Sequence, residues 1–135
     1  MKSDVLLVLA VLVVAGISAF GIYRFRRRSA WRTYRRMLEG ALSDGTITPD
    51  EVEELERFRR EREVTEAEAR AVARAVYRGA LRGAAEDARL SGDEDRHLTR
   101  LQQELGLSDE DLGEDREVLG RLRLLARVEA GQLPT

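Results

Sequence analysis

The chain of 135 residues has room for one soluble domain of about a hundred residues and a short appendage; without cysteine it holds no disulfide, thiolate metal site or cysteine nucleophile, and His97 is its only imidazole. A formal charge of −2 conceals zoning, because residues 24–36 carry seven arginines and no acid whereas 39–135 carry 15 arginines against 24 acidic residues, a net of −9. Every basic residue except Lys2 is arginine, alanine is abundant and prolines number two, a composition of helix formers that predicts an all-α chain and makes arginine content alone a poor guide to partners.

The first element is "VLLVLAVLVVAGISAFGIY", residues 5–23, nineteen positions without a charge. As a helix it covers about 28 Å, close to the hydrocarbon thickness of a bilayer. A cleaved signal peptide is the rival reading, since "ISA" at 17–19 ends in small residues, but the apolar stretch is long and its leading flank carries only Lys2. The trailing flank, "RFRRR" and then "WRTYRR", holds the positive charge, so the expectation is a single-pass anchor in the cell membrane with its N-terminus outside and its C-terminal domain cytoplasmic. Tyr23, Arg24, Arg26, Arg27, Arg28 and Trp31 are the expected membrane-interface residues, each arginine gaining roughly 1 kcal/mol near anionic headgroups. Ala15 and Ala19 have the small-xxx-small spacing that lets another helix approach. The interleaved aromatics admit a nucleic-acid reading, but a topology determinant beside a membrane accounts for the same residues and no nucleic-acid partner is expected. Residues 1–24 thus read as a transmembrane anchor, 25–36 as a basic juxtamembrane segment opening the first soluble helix, and 37–135 as a helical domain.

Five soluble helices are predicted, at roughly 26–42, 49–62, 66–86, 92–105 and 109–128, joined by loops short enough to make a compact bundle. Four starts are written as capping boxes: Thr48, Thr65 and Ser91 each precede a glutamate by three places, and Ser108 precedes Asp111. Pro49 suits a first helical position, and Ile47 with Val52, Val64 with Ala69 and Leu107 with Leu112 form staple pairs across three of the caps. Apolar faces run through Trp31, Tyr34, Met37, Leu38 and Ala41, through Val52, Leu55 and Phe58, and through Ala69, Val72, Val76, Tyr77, Ala80, Leu81 and Ala84. Leu98, Leu101 and Leu105, then Leu112, Leu119, Leu122 and Leu125, continue the pattern. The second soluble helix is so charged that most of it must face water, with Glu53 to Arg57 and Glu56 to Arg60 spaced as supporting ion pairs.

Sliding the chain on itself by 43 positions brings Tyr34 onto Tyr77, Leu38 onto Leu81, Asp44 onto Asp87, Ile47 onto Leu90, Glu51 onto Glu94 and Leu55 onto Leu98. The repeats span about 34–76 and 77–119, with a partial third copy at 120–135 in which Gly131 and Leu133 fall opposite Gly45 and Ile47. Each turn has the back half of an EF-hand calcium loop: with Gly45 at the glycine place, Asp44, Ile47, Thr48 and Glu51 fit, but the first and third ligand places are Gly40 and Leu42. In the second copy those places are Gly83 and Ala85, and the glycine has become Ala88. Two carboxylates are missing from a site that needs six or more oxygens, so calcium is not expected to bind. If any cation is attracted, the candidate metal residues are Asp44, Glu51, Asp87 and Glu94, whose first expectation is turn and cap duty. Ile47 and Leu90 are expected side by side across a pseudo-twofold.

The paired "DGTITPDE" and "DARLSGDE", with alternating helices and the following "GLSDED", resemble the tellurite-resistance TerB-like family over roughly residues 30–135. The resemblance implies an all-helical interaction module linked to membrane-associated stress or metal-resistance systems, with an acidic site near the turns that falls here on Asp44, Glu51, Asp87 and Glu94. The change of Gly45 to Ala88 puts the second turn outside the family pattern.

No enzyme is expected and no cofactor. His97 has no neighbouring nucleophile, and Gly79 and Gly83 lie inside a helix, where they are expected to allow close packing rather than to cradle phosphate. The functional expectation is a membrane-anchored helical adaptor recruiting an unidentified protein partner; the alternative is an accessory subunit of a larger membrane complex, bound through its transmembrane helix.

Overall fold

The computed structural model describes residues 1–131, which contain six helices and no strand. The first, α1, runs from Lys2 to Ala41 without interruption, a rod about 60 Å long at helical rise. Sequence reading separates an apolar segment ending at 23 from a soluble helix beginning near 26. The structure joins them, because nothing between Tyr23 and Arg28 breaks a helix; only the environment suited to the side chains changes there. The leading part is exposed throughout, whereas Ala30, Tyr34, Leu38 and Ala41, spaced by four, four and three, form a buried stripe. One helix near the N-terminus is therefore long and apolar enough to cross a membrane, and its far end is the first helix of a bundle.

The other helices are α2 (Pro49–Glu61), α3 (Glu66–Glu86), α4 (Gly92–Glu104), α5 (Asp109–Leu112) and α6 (Glu114–Glu129). α3 lies at the centre, packed on α1 to one side and on α4 and α6 to the other. Its Val72 and Tyr77 are wholly buried, and with Leu81 and Leu98 they form the middle of a core whose buried side chains are apolar apart from tyrosine hydroxyls. Each such leucine contributes about 1.5 to 3 kcal/mol by leaving water. α2 buries Leu55 alone, as its charge demands, and Glu53 pairs with Arg57 at 3.5 Å. No pair between Glu56 and Arg60 forms among the described residues.

All four capping boxes are closed in both directions. Thr48, for example, donates its N–H to the Glu51 carboxylate at 2.8 Å while its hydroxyl accepts from the Glu51 N–H at 3.3 Å. Two staples are buried, Val64 with Ala69 and Leu107 with Leu112; the first is loose, Ile47 being half-buried and Val52 exposed. The helix expected at 109–128 is divided at Gly113, whose φ of 52° and ψ of −123° suit glycine alone and turn the chain between α5 and α6.

The helix boundaries recur: α2 at 49–61 becomes α4 at 92–104, and α3 at 66–86 becomes α5 with α6 at 109–129. The turns recur as well. Gly45, Ala88 and Gly131 have φ of 87°, 50° and 67°, and each donates its N–H to the carbonyl three residues earlier. Glu63 and Gly106, at φ of 52° and 63°, end α2 and α4 in matching Schellman turns, Val64 N–H reaching the Arg59 carbonyl as Leu107 N–H reaches that of Gln102. Leu133, aligned with Ile47 in the third partial copy, lies outside the described residues.

Two expectations are corrected. Ile47 donates its N–H to Glu104 Oε2 at 3.1 Å, whereas Leu90 borders a groove with Asp95, Arg123 and Ala126, so the two sit in different surroundings. Gly79 and Gly83 are exposed on α3 and no neighbour comes within 4 Å of where a Cβ would stand, so they allow no close packing here.

Candidate functional site

The acidic turns are committed to the backbone. Asp44 accepts from the Thr46 N–H at 3.2 Å, and Glu51 and Glu94 accept from the N–H of Thr48 and Ser91 at 2.8 and 2.9 Å. Asp87 is the C-cap of α3. Among the described residues no three acidic or histidine side chains are grouped to hold a metal ion. His97 is exposed on α4.

The basic end of the rod is more highly organised. The Arg24 guanidinium stands 5.6 Å from the Phe20 ring centroid, that of Arg27 5.5 Å from Tyr23 and that of Arg35 5.9 Å from Trp31, so three arginines each cover an aromatic one helical turn earlier. Arg27 also donates Nη1 to the Tyr23 hydroxyl at 2.6 Å and Nη2 to the Glu68 carboxylate on α3. Its pKa is raised above the ordinary arginine value, first by the Tyr23 hydrogen bond and then by Glu68. The basic segment after residue 23 is thereby tied to the first turn of α3. Arg24, Arg26 and Arg28 make no ion pair among the described residues.

Sequence reasoning missed Glu68 and the α2–α3 turn as members of this region. Two clefts flank α1 here, one of about 220 Å³ bordered by Tyr23, Arg26, Arg62 and the acids Glu61 and Glu63, the other of about 240 Å³ bordered by Arg28, Trp31, Arg62 and Val64. A signal existed: a shift of 43 carries Arg27 onto Arg70 and Glu68 onto Asp111, and those two also approach, at 3.9 Å.

On the bundle proper, a groove of about 330 Å³ has Tyr34, Leu38, Leu55 and Leu105 in its floor and Glu56, Arg59, Glu66, Arg70 and Glu104 on its rim. Its rim thus mixes acidic and basic side chains around an apolar floor. Behind it, burial raises the pKa of Tyr34, which stacks on Phe58 with ring centroids 6.4 Å apart. Across the core, α4 and α6 are joined by Arg123 Nε donating to Asp95 at 2.8 Å, and α3 is joined to α6 by Arg78 and Asp115 at 3.0 Å.

α6 carries a second apolar stripe. Leu124, Leu125 and Val128 are 55%, 49% and 46% exposed, whereas Leu81 and Leu38, the residues 43 and 86 places before Leu124, are 2% and 5% exposed beneath neighbouring helices. Comparison with known protein families, curated proteins and solved structures finds no match to this chain.

Proposed function

We propose that this protein is a single-pass membrane-anchored adaptor that holds a helical interaction module at the cytoplasmic face and recruits a protein partner. The observation that carries the reading is the uncovered stripe of Leu124, Leu125 and Val128 at one end of the helical array, on a bundle joined without a break to an exposed apolar helix. The counterparts of Leu124 in α1 and α3, Leu38 and Leu81, are buried by helices, and the chemistry that fits the stripe is the apolar face of an amphipathic helix. Orientation follows from the arginines after residue 23, which favour the cytoplasmic side. The recurrence of caps and left-handed turns supports a duplicated, EF-hand-like helical unit, and with the paired acidic turns it fits a TerB-like module acting in stress or metal resistance.

The second reading, an accessory subunit bound through its membrane helix, is favoured by Ala15, Gly16 and Ala19, which leave that face of α1 open to a second helix. Affinity capture from detergent-solubilised membranes separates the two when a chain with 5–23 replaced by an unrelated apolar helix is compared with Leu124→Ser/Leu125→Ser. An adaptor keeps its partners on the first and loses them on the second. A subunit does the reverse.

A further inference from the structure

Two residues beside the uncovered leucines of α6 depart from the pattern of the other long helices. The residues 43 and 86 places before Gly120 are Tyr77 and Tyr34, 0% and 7% exposed; those before Arg127 are Ala84 and Ala41, 7% and 6% exposed. These tyrosines belong to the face that α1 and α3 turn toward the helices that follow them. Tyr34 stacks on Phe58 of α2, and the charges of Asp95 on α4 and of Asp115 and Arg123 on α6 act on the Tyr77 hydroxyl. On α6 the ring is missing and the alanine has become a guanidinium. Gly120 is exposed, and no atom lies within 4 Å of where its Cβ would stand, so no close approach inside the chain requires a residue that weakens a helix. It leaves a notch one turn before Leu124.

Leu125 departs in the other direction, being apolar where α1 and α3 carry the exposed Glu39 and Arg82. The apolar surface of α6 is thus broader than another unit of this chain's own kind would cover, and Arg127 stands where such a unit would bury an alanine. The charge at that place is not spent within the chain. Asp95, the one acid bordering the groove beside Arg127, is held by Arg123 at 2.8 Å, and Arg127 makes no ion pair among the described residues.

We propose that the partner docking on α6 presents an amphipathic helix that seats an aromatic side chain in the notch at Gly120 and sets a carboxylate on Arg127. Gly120 and Arg127 are seven residues apart, about 10 Å along the axis, so on a helix lying along α6 the aromatic anchor and the acid are two turns apart on one face. The residues between them are apolar and meet Leu124 and Leu125. This rests on the α6 stripe being the docking surface and specifies which helices that surface accepts.

Helical peptides with one randomised face are displayed and selected on the full chain in nanodiscs. The selected helices should carry an aromatic residue and an acid seven positions apart. A synthetic peptide of that pattern should lose about thirtyfold in affinity on Gly120→Tyr, which fills the notch, as expected for the loss of a buried aromatic anchor. Gly120→Ala, which helix propensity favours, should raise the melting temperature of the chain and still weaken the peptide. Arg127→Glu should cost about tenfold, and changing the peptide acid to arginine should recover much of it. Gly120 and Arg127 are exposed, so the helical circular dichroism should be unchanged in all three variants. Selected helices without the aromatic and acid pair, affinity indifferent to Gly120→Tyr, or a charge swap that restores nothing would each overturn the proposal. If such helices are nevertheless lost on Leu124→Ser/Leu125→Ser, the stripe remains the docking surface and only its recognition rule falls. A selection that yields no helix dependent on Leu124 and Leu125 sinks both.

Discussion

Glu63 and Ala88 hold backbone conformations that L-residues disfavour, φ of 52° and 50°, at turns where the corresponding residues 43 places on are Gly106 and Gly131. The left-handed region costs a non-glycine residue about 1 kcal/mol because Cβ crowds the following carbonyl. Glu63→Gly and Ala88→Gly should therefore each raise stability by about 1 kcal/mol in urea melts, less what glycine adds to the entropy of the unfolded chain. A loss in both variants would mean that the two turns differ from their glycine counterparts. Tyr77 presents the opposite case, a side chain in place at a cost. It is wholly buried, and its hydroxyl has no hydrogen-bond partner among the described residues. Burial raises its pKa, with Arg123 opposing and the acids Asp115, Asp95 and Asp109 adding to the rise. Removing an unsatisfied buried hydroxyl while keeping the ring should stabilise, so Tyr77→Phe is expected to gain about 1 kcal/mol. A loss of similar size would place a bound water on the hydroxyl.

At the scale of the element, the caps were the most legible part of the molecule because their chemistry is local: a hydroxyl, a carboxylate three residues on and the intervening amides decide the start of a helix without help from the rest of the chain. All four were read from residue types alone, and α2, α3 and α4 begin where the caps place them. Asp111 permits a test by pH. It accepts from the Ser108 N–H and hydroxyl, both at 2.9 Å, and these bonds, the backbone one first, lower its pKa below 3.8, with Arg70 and Arg74 assisting. A carboxylate with a depressed folded pKa contributes stability that is fully present above its unfolded value and is lost as pH falls through the folded one. Asp111→Asn should therefore melt earlier than the parent at neutral pH, and the gap should close in acid below the ordinary aspartate range; a gap independent of pH would mean that the charge is irrelevant to the cap. Non-local features were less legible. Gly113 was visible as a residue but not as a break, since a glycine inside a helical pattern more often stays in the helix. The bond from Arg27 to Glu68 spans 41 residues, and only the matching Arg70 and Asp111 betray it.

For the whole molecule, the consequence of a continuous α1 is that the exposed apolar segment and the bundle share one piece of secondary structure. Sequence reading begins the helical domain at residue 37 but lets the basic segment 25–36 open its first helix, with Tyr34 on the apolar face; Ala30 and Tyr34 are 9% and 7% exposed and pack in the core beside Leu38. Charge and burial therefore overlap along 30–36: arginines occupy the outer face of the helix and two core residues the inner one. Composition sees the first, and only the helical phase reveals the second. A fragment beginning at residue 25 keeps both core residues and should be soluble and unfold in one cooperative transition by circular dichroism. One beginning at residue 37 loses the Tyr34 ring and its stack on Phe58, and truncating a buried aromatic costs about 3 to 5 kcal/mol, a large fraction of the stability of a domain this size. That fragment should show a broad, non-cooperative melt. Equal cooperativity in the two would mean that the bundle does not depend on the rod, and that the apolar segment is joined to it as a leash rather than as a wall of its core.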